Sequence, residues 1–71
     1  MEYLVVEYPR KRKVVVKDET IGYTNEVIEL EAGPYTISLS GQSNYSPASR
    51  RVNLVNTSVL DPKTISFSPV G

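Results

Sequence analysis

The sequence predicts an all-β chain folded as a small antiparallel β-sandwich of about six or seven strands. Three observations carry this expectation. Apolar and polar residues alternate with a period of two over most of the chain, most clearly through Tyr35-Thr36-Ile37-Ser38-Leu39-Ser40. Turn residues recur at short, fairly even spacing between the alternating stretches. Apolar residues at helical spacing are not sustained anywhere, and β-branched residues, aromatics and serine dominate.

Six principal strands follow in order. Tyr3 to Tyr8 places Leu4, Val6 and Tyr8 on one face and Tyr3, Val5 and Glu7 on the other; Pro9, which cannot donate to a ladder, ends it. Lys13 to Lys17 is expected to turn Val14 and Val16 inward. Asp18-Glu19 reads as a turn, Thr20-Ile21 as a brief pairing segment, and Gly22 as a tight or left-handed backbone position. Val27 to Glu31 points Ile28 and Leu30 inward, and Gly33-Pro34 turns the chain into the row Tyr35, Ile37 and Leu39.

Gly41 to Pro47 is rich in glycine, serine and asparagine and reads as a loop. Ser49 to Val55 then buries Val52 and Leu54. Asn56-Thr57-Ser58 and Asp61-Pro62 bracket a further connection, and Lys63 to Ser68 buries Ile65 and Phe67. Six short strands, each apolar on one side, must close against one another. Two thin sheets packed face to face do this most economically, with a partly open barrel as the other solution.

Seventy-one residues make a single domain, 1–71, near the lower size limit for independent folding. Eight basic and eight acidic residues cancel, so a domain-wide attraction to nucleic acid or anionic lipid is not expected. No stretch approaches the roughly 20 apolar residues that span a bilayer, so membrane insertion by this segment is not expected. Nor does the N-terminal stretch have the apolar run and cleavage site of a signal peptide.

With no histidine and no cysteine, the common triads and thiol nucleophiles cannot be assembled, and no enzyme is expected. Glu29 and Glu31 share a strand face roughly 7 Å apart, a spacing that superficially suits paired carboxylates but reads as a solvated sheet face. Asp18, Glu19 and Asp61 are ordinary turn acids, too few for the six to eight oxygens calcium takes. No catalytic residue, metal ligand or cofactor is therefore expected. Asn44-Tyr45-Ser46 and Asn56-Thr57-Ser58 have glycosylation spacing, read here as coincidence.

Two features remain as candidate binding surface. The run Arg10-Lys11-Arg12-Lys13 could dock an acidic partner, a phosphate-bearing polymer or an anionic membrane surface, or could simply guard a strand edge against aggregation. Tyr23 and Tyr45, at turn landmarks and expected to be exposed with Tyr3, could stack on sugar rings or pack across loops.

In order along the chain, Pro9, Val14-Val15-Val16, Gly22-Tyr23-Thr24-Asn25, Leu30-Glu31-Ala32-Gly33-Pro34-Tyr35 and Asn44-Tyr45-Ser46-Pro47 form a set of landmarks that resembles the PEGA domain. That family is a small module of prokaryotic surface and envelope proteins. Asn25 stands where the family usually has proline, Asn44 where it has glycine, and Arg10-Lys11-Arg12 where it has glutamate, glycine and alanine. The resemblance implies a transthyretin-like (prealbumin-like) sandwich with structural turns at Pro9, Gly22, Gly33 and Pro47. It further implies a non-catalytic structural or protein-binding module of a larger extracytoplasmic protein. Its partners would be another protein or neighbouring domains, or else a cell-wall polysaccharide held by surface tyrosines and the basic turn.

Overall fold

The computed structural model describes residues 1–70. Its strands are β1 (Glu2–Glu7), β2 (Lys13–Val16), β3 (Glu19–Tyr23), β4 (Val27–Leu30), β5 (Gly33–Leu39), β6 (Tyr45–Ser46), β7 (Arg50–Leu54), β8 (Lys63–Ser66) and β9 (Ser68–Pro69), with no helix among the described residues. Hydrogen bonding orders them as β4-β1-β8 and β3-β2-β5-β7, plus a short β6-β9 ribbon. The two larger sheets close on one core, as the alternating pattern requires of strands with a single apolar face.

The inward rows are those the alternation predicts. Leu4, Val6, Val14, Ile28, Ile37, Leu39, Val52, Leu54, Ile65 and Phe67 are buried, and Tyr8 joins them. Val16, Leu30 and Tyr35, also expected inside, are half-buried at the rim and pack against that cluster.

Several local expectations need correction. The turn after β2 is Lys17-Asp18 rather than Asp18-Glu19; both residues have positive φ, 50° and 64°, the backbone of a two-residue hairpin that continues the strand twist. The segment Thr20-Ile21 belongs to a full strand, β3. Its register slips between Val14 and Val15, so Val14 faces Gly22 and Val15 faces Thr20, with Ile21 the extra residue of a β-bulge. The last expected strand breaks at Phe67 into β8 and β9, and the loop at 41–47 contains β6.

Gly22 is not a left-handed turn residue. It lies inside β3, where a Cβ would stand 2.7 Å from Ile28 Cγ1 and 2.9 Å from its Cδ1. The missing side chain lets β3 approach the buried Ile28 across the sandwich. Gly22→Ala is therefore expected to cost about 1–3 kcal/mol through overpacking. In a double-mutant cycle with Ile28→Ala, followed by denaturant unfolding, the double variant should cost less than the sum of the two single variants. Strict additivity would remove the close-approach explanation. Gly33, by contrast, opens β5 with φ 141°, as a turn glycine should.

One ladder departs from an antiparallel pattern: β1 and β8 run parallel, with Val6 opposite Ile65. β7 runs down one sheet, the connection 55–62 crosses the end of the sandwich, and β8 runs up the other sheet beside β1. That end, with Glu2, the Lys17-Asp18 turn and Gly33, is called lower. The opposite end, with Tyr8 to Arg12, Thr24 to Glu26 and Ser40 to Pro47, is upper.

At the lower end Glu2 accepts from the Thr57 N–H (2.8 Å) and hydroxyl (2.7 Å), while Thr57 Oγ1 accepts from the Tyr3 N–H (2.7 Å). The backbone N–H first, and then the hydroxyl, hold the Glu2 carboxyl below its ordinary value. The folded-state value being depressed, this contact stabilises fully above the ordinary carboxylate value and is lost as pH falls through the lowered one.

Candidate binding surface

Of the four basic residues expected to form a surface, the upper-end geometry separates Arg12 from the rest. Its Nε donates to the Ser40 carbonyl (2.9 Å), and its terminal nitrogens donate to the Ser40 and Gln42 carbonyls and to Asn44 Oδ1. The guanidinium also lies 5.6 Å from the Tyr8 ring centroid and 5.1 Å from that of Tyr45. Gly41, at φ 88°, leaves room for it: a Cβ there would stand 3.0 Å from an Arg12 terminal nitrogen. Arg12 thus ties the loop after β5 to the end of β1, and its charge is spent inside the fold.

Lys11 is partly neutralised by Glu26 at 3.7 Å, with its ammonium 4.7 Å over the Tyr23 ring. Both side chains of that ion pair are well exposed, so the pair adds little stability. Arg10 and Lys13 are exposed and make no ion pair among the described residues. The basic run therefore presents two unengaged cations, not four.

The tyrosines divide as well. Tyr23 is exposed, as expected. Tyr45 is half-buried, edge-on to Phe67 at 5.4 Å; its hydroxyl donates to the Leu39 carbonyl (2.9 Å) and accepts from the Leu39 N–H (3.2 Å). That phenol holds the β6 loop onto β5. Tyr3, expected to be exposed, is half-buried on the outer face of β1.

Among the structural turns, Pro9 follows β1 and is exposed, and Pro47 follows β6 through a cis peptide bond. Glu29 is exposed beside Tyr3, whereas the Glu31 backbone carbonyl accepts the Tyr35 hydroxyl at 2.6 Å. Among the described residues no three acidic side chains come together.

Thr24, noted in the sequence only within the Gly22-Tyr23-Thr24-Asn25 landmark, is the one buried polar residue among those described. Its hydroxyl donates to the Arg10 carbonyl (2.7 Å) and accepts from the Arg12 N–H (2.9 Å). Asn25 has φ 64°, donates its backbone N–H to Val6, and exchanges side-chain bonds with the Tyr8 backbone. Proline could adopt neither that φ nor that donor role, so the position differs locally from the PEGA pattern.

Two surfaces stand out once these residues are placed. The first is an open groove of about 950 Å³ on the outer face of β3-β2-β5, lined by Lys11, Lys13, Val15, Tyr23, Ser38 and Gln42 among others. The second is the tip of the lower-end connection. Ser58 and Asp61 exchange backbone hydrogen bonds (3.2 and 3.1 Å), and Ser58 Oγ also accepts the Asp61 N–H (3.0 Å). Val59 and Leu60 sit at the turn between them, 59% and 97% exposed, and Val55 in the same connection is 49% exposed. The signal was present in the sequence as two aliphatic residues flanked by Ser58 and Asp61-Pro62, where turns usually carry glycine, asparagine or aspartate.

Comparison with family models, with curated proteins and with solved structures returns no match to this chain.

Proposed function

We propose that this chain is a non-catalytic structural or protein-interaction module of a larger cell-surface or envelope protein, of the PEGA-like kind its landmarks resemble. The supporting observation is the braced turn that holds Val59 and Leu60 in water. Burying a leucine or valine side chain is worth about 1.5–3 kcal/mol, and the fold forgoes this at both positions although neither residue suits a turn. A docking partner would recover it. The bracing also lowers the ordering cost of binding, because Thr57 pins the connection to β1 before any partner arrives.

Wall-polysaccharide binding is the second reading, and the Lys13–Tyr23 groove favours it. It is the weaker one, because Arg12 and Lys11 are already engaged. Serine at both Val59 and Leu60 in the full-length parent protein should dissociate its native assembly, measured by size on light scattering, without changing the circular dichroism. Alanine at Lys13 and Tyr23 should leave that assembly intact. The reverse pattern, with groove variants losing wall retention and the turn variant behaving as wild type, would transfer the function to the groove.

A further inference from the structure

We infer that the Leu60 turn docks into a second copy of this chain, in the groove formed by Val16, Lys17, Pro34, Tyr35, Thr36 and Arg51. This rests on the docking reading above and names its partner. The groove encloses about 360 Å³, at the small end of the range for sites that bury a ligand. Its apolar walls come from Val16, Pro34 and Tyr35, and the Tyr35 hydroxyl bond to Glu31 fixes the ring that forms one wall.

Charge selects the occupant. Lys17 and Arg51 are exposed at the groove, and neither makes an ion pair among the described residues. On the turn, Asp61 directly follows Leu60 and is exposed and unpaired in the same sense. A leucine entering the groove would bring its neighbouring carboxylate to the two cations. The chain thus carries both halves of one recognition pair, an aliphatic knob with an acid beside it and an apolar slot with bases beside it.

Placement allows the pairing to be mutual. The turn joins the lower ends of β7 and β8, and the groove spans the Lys17 turn and the lower half of β5. With knob and slot near the same end, a two-fold axis beyond that end can seat each knob in the other copy's slot. Such a closed dimer is the ordinary outcome of a self-complementary patch, whereas a non-reciprocal fit would propagate into a filament.

Sedimentation equilibrium of the chain from about 10 µM to about 1 mM, the range in which weak interfaces are populated, tests the inference. A reversible monomer–dimer equilibrium is expected. Leu60→Ser should raise its dissociation constant by roughly tenfold or more. Arg51→Glu should weaken the dimer by about threefold to tenfold, more at low salt, and Asp61→Arg in the same chain should restore it. Circular dichroism of each variant checks that the fold is kept, and the charge-swap rescue is a response that general surface damage would not give.

A monomer throughout the range overturns the inference. So does a dimer indifferent to Leu60→Ser, or a charge swap that fails to restore association. Leu60-dependent sedimentation with phosphatidylcholine vesicles, without self-association, would instead make the turn a lipid anchor and overturn it too. If the chain stays monomeric while serine at Val59 and Leu60 still dissociates the parent assembly, the second-copy inference falls and the docking reading stands. If neither experiment responds to the turn, both fall.

Discussion

Thr24→Val is expected to destabilise the domain by about 2–4 kcal/mol, whereas Thr24→Ser should cost only about 1 kcal/mol. Valine keeps the shape of threonine but deletes the hydroxyl that bonds both the Arg10 carbonyl and the Arg12 N–H. Thr24 is 1% exposed, so water cannot readily take the place of that hydroxyl. An unmet buried donor or acceptor costs roughly 1–3 kcal/mol, more than the bond itself contributes on average. Serine retains the oxygen and loses only a methyl group. In a chain this small, whose core rarely supplies more than about 3–5 kcal/mol, the valine variant should be close to half unfolded at ambient temperature. Its thermal midpoint should fall by roughly 10 °C or more. Equal melting of the valine and serine variants would show that the hydroxyl is not what closes the upper end.

Arg12→Met is the second large effect, at about 2–3 kcal/mol, with Arg12→Lys little better. Methionine keeps much of the aliphatic bulk but gives up the bonds to Ser40, Gln42 and Asn44 and the stacking on Tyr8 and Tyr45. Bonds from a charged donor contribute roughly 1.5–3 kcal/mol, and each cation–π contact adds about 0.5–1 kcal/mol at accessible sites. Lysine carries the charge but not the planar fork that reaches several acceptors together. Thermal melts would give the stability change. Faster amide exchange confined to residues 40–46 would place the loss in the loop. Full recovery with lysine would mean that a point charge suffices and that the forked geometry is incidental. The same reasoning bears on any ligand-binding test of the basic run: removing Arg10, Lys11 and Arg12 together would loosen the loop, so Arg10 and Lys13 are the informative substitutions.

The core was the most legible part of the sequence. Alternation alone separates Leu4 and Val6 from Val5, and Ile37 and Leu39 from Ser38, because the pleat sends neighbours to opposite faces whatever the partner strand is. The candidate surface was legible only as residue types. Arg10, Lys11, Arg12 and Lys13 look equivalent in the sequence; Ser40, Gln42 and Asn44 reach Arg12 from about thirty residues away and make it a fastener. Tyr23 and Tyr45 likewise share a turn context but meet different neighbours. The Val59-Leu60 turn lies between the Asn56-Thr57-Ser58 and Asp61-Pro62 turn signals and carries no signal of its own, since a pair of aliphatic residues has no period to detect.

By itself the sequence determined an all-β chain, the faces of its strands and most of its core, all consequences of a side-chain period that is local and twofold. Tertiary structure decided which strands pair, that β8 runs parallel to β1, that Gly22 gives way to Ile28, and which cations and tyrosines remain free. Those outcomes depend on contacts between residues far apart in the chain. Such contacts are set by how two sheets close on one another, and alternation along a single strand carries no record of its partner.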